Sequence, residues 1–319
     1  MCRAFLGEYR KDGQLIVNGR ANCGAVTINL PLLAIESKGD KEAFFKMIDK
    51  YAKTVFDIHE WTYNRLEKAK GSSNPLYYCE GGAFTKVGYD ESIKPIVEGM
   101  TASLGYIGLE ETCQAMFGKP LHECQEFAGE VMDYLWSKVE EYKKRDGRLY
   151  TLYSTPAESL IGRFQMINRK KHGVIKDVTS RDYMTNSFHA GVWQKHNPIQ
   201  KMNIESPLFA KAHGGRIVYC EYPYNVDHDV LKQMVEYGME KDLYQGVNIE
   251  SCNCMDCGHQ GEFETCPKCG SDNVTEVSRC CGYLSFSKIK GDTRYNSAKV
   301  AEVKDRVLHT DEDRDRHKK

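Results

Sequence analysis

The chain of 319 residues carries 44 lysines and arginines against 45 aspartates and glutamates, and 41% of its residues are hydrophobic. This composition supports a folded core, and the net charge of −1 excludes a general attraction to nucleic acids or to membranes. Because the chain has no long apolar run and its N-terminal stretch lacks a secretory signal, we expect a cytoplasmic protein whose 13 cysteines stay reduced and serve metal, radical or redox chemistry.

Strand-like and helix-like patterns alternate along the chain. A buried strand that runs into a turn at Pro31 is predicted over residues 24–35, and an amphipathic helix over 41–69. The later predicted elements are a helix over 123–145, a strand over 148–154, a helix that begins at Pro156, a strand over 215–223 and a helix over 226–240. Repeated strand–helix units predict an α/β layer or barrel with a parallel component.

Two CxxC pairs give the strongest local signal, with Cys254 and Cys257 in the first pair and Cys266 and Cys269 in the second. Such pairs place four thiolates tetrahedrally around one structural Zn²⁺, and a glycine after each pair permits the tight turn. Four free thiols are the weaker interpretation, because exposed reduced cysteines oxidise readily. Cys252 lies just outside the spacing and is expected to be a bystander, with competition as a ligand left as the alternative. The even charge around the pairs favours a structural brace over a nucleic-acid-binding module.

The segment after the cysteine pairs contains SRCCGYLSF and then TRYNSAKVAEVKDRVLH. A lone glycine such as Gly282 ordinarily marks a turn. The whole arrangement, however, resembles the glycyl radical domain of the anaerobic (class III) ribonucleoside-triphosphate reductases, in which the zinc ribbon is followed by Arg-x-Cys-Gly-Tyr-Leu and a closing Arg-Val-x-His. The matching positions are Arg279, Cys281, Gly282, Tyr283, Leu284, Arg294, Asn296, Lys299, Glu302, Arg306, Val307 and His309.

This resemblance implies that Gly282 stores a glycyl radical. A radical on Cα is delocalised between the amide nitrogen and the carbonyl, and only a residue without Cβ reaches the required planar centre without steric cost. The resemblance also implies an anaerobic setting and a separate radical-SAM activating enzyme. S-adenosylmethionine and the 4Fe–4S cluster belong to that enzyme, because this chain has no CxxxCxxC motif.

The first residues, MCRAFL, and the later NGRANCGAVTINLPLLAIES resemble the family's finger loop and the strand that follows it. By that resemblance Cys2 forms the thiyl radical that takes the 3′ hydrogen of the ribose, and Asn22 lies near the ribose or near formate. Formate is the implied reductant, with a thioredoxin-type donor left open. Cys23 is expected to be a packed core thiol.

The stretch YSTPAESLIGRF, residues 153–164, also fits the family. A cap at Ser154 or Thr155 with Pro156 at the first helical position predicts a helix N-terminus, whose free N–H groups bind anions. A plain capped helix is the alternative. In the family this turn holds the nucleotide phosphates, and the residues to which the resemblance assigns phosphate binding are Ser154, Thr155, Ala157, Glu158 and Ser159.

The resemblance covers essentially the whole chain but only the C-terminal half of the family's usual chain. It implies an α/β fold with the second half of a ten-stranded barrel of the glycyl radical enzyme type over 1–245. A zinc ribbon over 246–275 and a glycyl radical domain and tail over 276–319 complete the expected domains. Because one barrel half is missing, we expect a split or spliced reductase that works with an N-terminal fragment and forms a homodimer when complete.

The implied function is the anaerobic reduction of ribonucleoside triphosphates to 2′-deoxyribonucleoside triphosphates by glycyl and thiyl radicals. Two alternatives remain at this point. One is a non-catalytic subunit that carries a spare glycyl radical domain for another enzyme. The other is a degenerate remnant whose zinc ribbon serves only as an interaction module.

Overall fold

The structure is a computed structural model that describes residues 4–81, 86–280, 284–290 and 292–307. The α-helices are α1 (Leu30–Ser37), α2 (Lys41–Leu66), α3 (Pro75–Tyr78), α4 (Lys94–Val97), α5 (Leu109–Phe117), α6 (Gln125–Asp146), α7 (Leu160–His172), α8 (Pro198–Lys211), α9 (His228–Glu240) and α10 (Ser297–Asp305). Within these ranges, none of the helices is long and apolar enough to cross a lipid bilayer.

The strands form parallel and antiparallel groups. They are β1 (Arg10–Lys11), β2 (Gln14–Leu15), β3 (Asn22–Asn29), β4 (Thr101–Ile107), β5 (Leu149–Ser154), β6 (Val218–Tyr222), β7 (Gln245–Ile249), β8 (Ser251–Cys254), β9 (Gln260–Gly261), β10 (Val274–Arg279), β11 (Leu284–Ile289) and β12 (Asp292–Thr293). The short strands β1 and β2 make an antiparallel pair near the beginning of the chain.

The main layer consists of parallel strands in the order β3, β4, β5, and a second parallel pair joins β6 to β7. Two backbone bonds lead from β5 to the segment before β6: the Gly214 amide donates to the Leu152 carbonyl (2.6 Å), and the Ser154 amide donates to the Gly215 carbonyl (3.0 Å). A Cβ on Gly214 would lie 2.3 Å from the Thr151 side chain, so this approach requires glycine. The predicted α/β class with a parallel component is confirmed.

Side chains on the parallel strands alternate between two faces. On the outer face, apolar residues such as Leu104 and Leu152 share one hydrophobic core with Phe56 of α2 and Leu135 of α6. The opposite face, here called the inner face, is formed mostly by small or polar residues. They are Asn22, Ala25, Thr27, Thr101, Ser103, Gly105, Thr151, Tyr153, Tyr219, Glu221, Gly246 and Asn248.

The long helices and central strands agree with the sequence patterns. The helix predicted over 41–69 is α2, capped where the Asp40 carboxylate accepts from the Ala43 amide (3.1 Å). The helix predicted over 123–145 is α6, which ends at Gly147 in a left-handed conformation. Residues 30–35 differ from the prediction of a turn, because they belong to α1. Asn29 caps this helix, and Pro31 lies in its first turn, where its missing N–H costs nothing.

A five-stranded antiparallel sheet in the order β12, β11, β10, β8, β9 carries the C-terminal region. Strand β10 pairs with β8 on one side and with β11 on the other. The expected domain boundaries at 245/246 and 275/276 fall within β7 and β10. The cysteine-rich segment and the strand that leads to Gly282 therefore share one sheet, and the three-part division stays a prediction.

Candidate functional site

The segment Ala4–Gly7 lies on the inner face. The Phe5 amide donates to the Gly214 carbonyl (2.7 Å), and the Gly7 amide donates to the Thr101 hydroxyl (3.1 Å). Thr101 is the first residue of β4, the middle strand of the main layer, and Gly214 lies in the segment before β6. The described part of the predicted finger loop is thus fixed to the inner face by its own backbone.

The predicted site residues near the N-terminus divide into described and undescribed ones. Cys2 lies outside the described residues. Asn22 opens β3 on the inner face, and its side-chain oxygen is buried without a partner among the described residues. A buried acceptor of this kind favours a donor from a ligand or from water. Cys23 packs against the hydrophobic core, as predicted, and burial raises the pKa of its thiol.

The turn between β5 and α7, residues 155–159, differs from its prediction. The cap at Ser154 or Thr155 and the helix start at Pro156 are wrong, because α7 begins at Leu160 with Ser159 at its N-cap. The Thr155 hydroxyl instead bonds to the Thr27 hydroxyl on β3 (3.0 Å). This contact joins residues far apart in sequence and outweighs the local capping signal.

Some amides of the predicted phosphate-binding set are already engaged. Ser154 is the last residue of β5, and its amide is part of the link to Gly215. The Ala157 amide donates to the side-chain oxygen of Asn186 (2.8 Å). The turn is therefore held in shape from the segment that contains Asn186, and phosphate binding at 154–159 stays a prediction.

Helix α10, which follows Gly282 in the chain, packs on α7. A Cβ on Gly162 would lie 2.4 Å from the Ala298 Cβ, so the two helices are in close contact at this glycine. The Asn296 side chain caps α10 and also donates to the Glu158 carbonyl in the turn between β5 and α7 (3.4 Å). The C-terminal region is thus docked against this turn.

A buried network of charges holds the chain just before Gly282, which itself lies outside the described residues. Arg279 donates from two nitrogens to Glu221 on β6 (2.6 and 3.2 Å). Arg306 donates to the Arg279 carbonyl (2.9 Å) and to Glu302 (2.9 and 3.1 Å). All four side chains are at most 5% exposed. Buried charges are tolerated when they are paired and hydrogen-bonded in this way.

Glu302 remains ionised in this network. Burial alone would raise the pKa of its carboxyl group, but the charges of Lys299 and Arg306 lower that pKa to about 2. Lys299 also forms a direct ion pair with Glu302. Glu302 therefore keeps its negative charge, and with it its hydrogen bonds to Arg306, throughout the neutral pH range.

Removal of the Glu221 carboxylate tests the strength of this network. We expect Glu221→Ala to lower the free energy of unfolding by about 3–5 kcal/mol, because Arg279 would remain buried without its ion-pair partner. Urea denaturation of the purified chain measures the change. As a control, Glu42→Ala removes an exposed ion pair with Lys46 and should leave the stability nearly unchanged. Equal effects of the two substitutions would show that the buried network stabilises the fold no more than an exposed ion pair does.

The residues on both sides of Gly282 line one small cavity on the inner face. Arg279 lies over the Tyr219 ring, 3.6 Å from its centroid, and Leu284 begins β11. Both residues line a cavity of about 80 Å³ together with Asn248 of β7. The described ends of the segment that carries Gly282 are therefore placed on the same face as the segment Ala4–Gly7.

The four cysteines of the CxxC pairs form one cluster, whose Sγ atoms all lie within 4.8 Å of one another. The Sγ atoms of Cys254 and Cys269, and those of Cys257 and Cys266, are 3.6 Å apart. A tetrahedral zinc site with Zn–S bonds of about 2.3 Å separates its sulfurs by about 3.8 Å. The donor set and its spacing therefore fit a tetrahedral metal ion.

Two glycines shape the turns of this cluster. Gly258 and Gly270 have φ of +71° and +73°, and their amides donate to the carbonyls of Cys254 (2.9 Å) and Cys266 (2.8 Å). Both positions favour glycine, because the left-handed conformation strains other residues. Cys252 lies on β8 outside the cluster, as predicted.

Glu221, Asn186 and Glu111 support the site but were not predicted from the sequence. For Glu221 a signal existed, since a charged residue at an inner-face position interrupts the apolar strand VYCEY. Asn186 lies in the segment YMTNSFH, in which no local pattern indicates the contact with Ala157. For Glu111, nothing in the local pattern reveals its bond to Thr185, 74 positions later in the chain.

Comparison with known proteins identifies the family. The family model described as anaerobic ribonucleoside-triphosphate reductase matches residues 1–309. The chain is 37% identical to the enzyme of that name from Salmonella typhimurium over 97% of this chain and 45% of the relative. The enterobacteria phage T4 enzyme of that name is 29% identical over 97% of this chain and 52% of its own length.

Solved structures show the same fold. An anaerobic ribonucleotide reductase superposes with a TM-score of 0.70 and 20% identity, covering 89% of this chain and 44% of the other. The Thermotoga maritima enzyme in complex with dATP and CTP superposes with a TM-score of 0.61 and 20% identity. This match covers 85% of this chain and 46% of the other. The chain spans about half the length of the curated relatives that it matches. Because the family model matches nearly the whole length of this chain, the chain belongs to the anaerobic ribonucleoside-triphosphate reductase family.

Proposed function

We propose that this chain is the C-terminal part of an enzyme that reduces ribonucleoside triphosphates to 2′-deoxyribonucleoside triphosphates by glycyl and thiyl radical chemistry. The observation that carries this proposal is that described neighbours of Cys2 and of Gly282 both lie on the inner face. Ala4–Gly7, which follows Cys2, is bonded to Gly214 and Thr101. Arg279 and Leu284, which flank Gly282, line a cavity on that face.

In this proposal each site residue has one chemical role. Gly282 stores the radical, and Cys2 passes a hydrogen atom to it and becomes the thiyl radical. That thiyl takes the 3′ hydrogen of the ribose, and the 2′ hydroxyl takes up a proton and leaves as water. Formate is oxidised to CO₂ and supplies the two electrons and the hydrogen for the new C2′–H bond. Asn22, whose buried oxygen lacks a partner among the described residues, lies near the ribose or formate. The hydrogen then returns from Cys2 to the 3′ carbon.

The turn at residues 155–159 is the proposed site of the nucleotide phosphates. Thr155, Glu158 and Ser159 lie at the end of β5 and before α7, where ligands of parallel α/β layers commonly bind. The start of α7 at Leu160 places the first amides and the positive end of the helix macrodipole beside Ser159. The Thermotoga maritima structure with dATP and CTP supports nucleotide binding by this fold.

Zn²⁺ is the proposed ion in the four-cysteine cluster, where it would act as a structural brace. Strand β8 ends at Cys254, and β10, its partner in the sheet, leads directly to Arg279. Holding β8 in place therefore also holds the strand before Gly282. The same pairing explains why a metal at the cysteine cluster would matter for the radical segment.

We expect Cys257→Ser to reduce the zinc content from about one ion per chain to near zero, because structural zinc sites need all four ligands. Hydrogen exchange should then increase in β8 and β10, and elemental analysis measures the metal. Cys252→Ser is the matched control, since Cys252 lies on β8 but outside the cluster. Full zinc occupancy in the Cys257 variant would contradict this assignment.

The remaining proposed partners are an N-terminal fragment, which corresponds to the part of the relatives that this chain does not match, and an activating enzyme. Strand β3 is at the end of its sheet among the described residues, so its free edge is suited to pair with a strand of the N-terminal fragment and to continue a ten-stranded barrel. A radical-SAM activating enzyme would generate the radical on Gly282. The complete enzyme would be a cytoplasmic homodimer.

Reconstitution tests the proposed function. The chain is combined anaerobically with the N-terminal half of a family member, the activating enzyme, formate and a ribonucleoside triphosphate. We expect the corresponding deoxyribonucleotide to form only when all components are present. Radical formation without any product in the complete mixture would instead favour a spare radical-carrying subunit.

A further inference from the structure

A short buried segment, Thr185–Ser187, connects helix α5 with the turn between β5 and α7. On one side, a carboxylate oxygen of Glu111 accepts from the Thr185 amide (2.8 Å) and from the Thr185 hydroxyl (2.9 Å). On the other side, the next residue, Asn186, accepts from the Ala157 amide (2.8 Å). Two adjacent residues therefore make the contact with α5 and the contact with the turn.

The backbone of this segment is fixed on both sides of Asn186. The Gly108 amide donates to the Thr185 carbonyl (3.0 Å), and the Leu109 amide donates to the Ser187 carbonyl (3.1 Å). Gly108 has φ of +79°, and a Cβ there would lie 2.5 Å from Pro31, so this junction requires glycine. The start of α5 thus holds the segment in a single position, from which the Asn186 side chain reaches the turn.

Glu111 is a costly residue at this place. It is 2% exposed, and its second carboxylate oxygen has no partner among the described residues. Burial raises the pKa of Glu111 to about 7, although the Thr185 amide lowers it, and the charge of Glu110 raises it further. A buried carboxylate is weak evidence for a stabilising role, because its replacement by an apolar residue of similar size often leaves the protein at least as stable. Its geometry points to a role in placing Thr185.

We propose that Glu111 and Asn186 are positioning residues for the nucleotide phosphates, with Glu111 fixing Thr185 and Asn186 fixing Ala157 in the turn. This inference rests on the proposed function, because it assumes that residues 155–159 receive the phosphates. Neither side chain touches the reacting atoms of the ribose in this proposal. Their effect is on the shape of the turn, and so on nucleotide affinity.

A purely structural role gives a different kinetic result. If Glu111 only stabilised the fold, its loss would reduce the fraction of active enzyme, and kcat would fall at constant KM. If it positions the turn, KM for the ribonucleotide rises while kcat of the folded enzyme changes less. Glutamine at position 111 keeps an oxygen that accepts from Thr185, so it should restore most of the affinity.

The experiment uses the reconstituted enzyme, with radical content measured in every sample. We expect Glu111→Leu and Asn186→Ala each to raise KM for the ribonucleoside triphosphate at least tenfold, with kcat per radical within about threefold of wild type. Glu111→Gln should stay within about threefold in KM. Glu110→Gln is the matched control, because Glu110 is also a buried carboxylate on α5 but bonds to Leu121 and Gln194 instead.

Two outcomes overturn the inference while leaving the proposed function intact. In the first, the wild type is active and Asn186→Ala has the same KM as the wild type. This variant decides the matter if Glu111→Leu does not fold. The other is a loss of kcat per radical alone in both variants. An inactive wild-type mixture that contains the radical would contradict the proposed function and, with it, this inference.

Discussion

The Gly282→Ala variant is expected to give no organic radical signal after anaerobic treatment with the activating enzyme, whereas the wild type gives an EPR doublet. The doublet arises because a glycyl radical keeps one hydrogen on Cα. Alanine adds a Cβ that hinders the planar arrangement and the approach to Cα. Continuous-wave EPR on matched protein concentrations measures the loss, which should be complete. Turnover in the reconstituted enzyme should disappear with the signal.

A glycine in a permissive place provides the control for this result. Gly129 lies on α6, and a Cβ there would have Lys211 as its nearest contact, at 3.9 Å. Gly129→Ala should therefore keep the full radical signal. A doublet of wild-type intensity in Gly282→Ala would sink the assignment of the radical to this residue.

The Cys2→Ser variant should form the radical normally and yet make no deoxyribonucleotide. The glycyl radical exchanges hydrogen with a thiol, whose S–H bond is weak, but it cannot break the much stronger O–H bond of serine. Loss of a group that carries an essential step lowers turnover by at least about 10³-fold. EPR quantifies the radical, and product analysis after anaerobic incubation quantifies turnover.

Cys23 separates a catalytic thiol from a structural one in the same region. Its side chain packs against the core, so Cys23→Ser should keep most of the turnover per folded molecule. Turnover by Cys2→Ser at the wild-type rate would contradict the thiyl assignment. If both variants keep the full radical signal and lose turnover equally, the loss in Cys2→Ser cannot be assigned to the thiol of Cys2 alone.

Several parts of the structure could be predicted because their signals are local. The four-cysteine cluster follows from ligand spacing within 16 residues of chain, and the structure brings Cys254 and Cys269 together as expected. The long helix α2 follows from its amphipathic pattern and from Asp40, which caps it. In each case the residues that decide the structure are close in sequence, so no knowledge of the fold was required.

Other parts depend on contacts between distant residues. The helix predicted from Pro156 starts four residues later because Thr155 bonds to Thr27, 128 positions away. The pairing of Glu221 with Arg279 joins residues 58 positions apart. A cap signal or a single charged residue does not reveal its partner, since the partner is chosen by the strand order. These contacts become visible only once the parallel layer is built.

The supporting residues also explain how the proposed zinc site and a buried charge network would serve one task. Strand β10 is paired with β8, which contains Cys252 and ends at Cys254. The last residue of β10, Arg279, is bonded to Glu221. The segment that carries Gly282 is therefore fixed at its start from two directions. We expect such support because a stored radical must stay within reach of one thiol and away from other groups.

The proposed function is best tested by measuring the yield of deoxyribonucleotide and the radical in the same anaerobic sample of the reconstituted enzyme. We expect product whose formation depends on the glycyl radical, on the N-terminal half and on Cys2. A full glycyl radical signal with an intact N-terminal half, formate and ribonucleoside triphosphate, but with no deoxyribonucleotide, would contradict it.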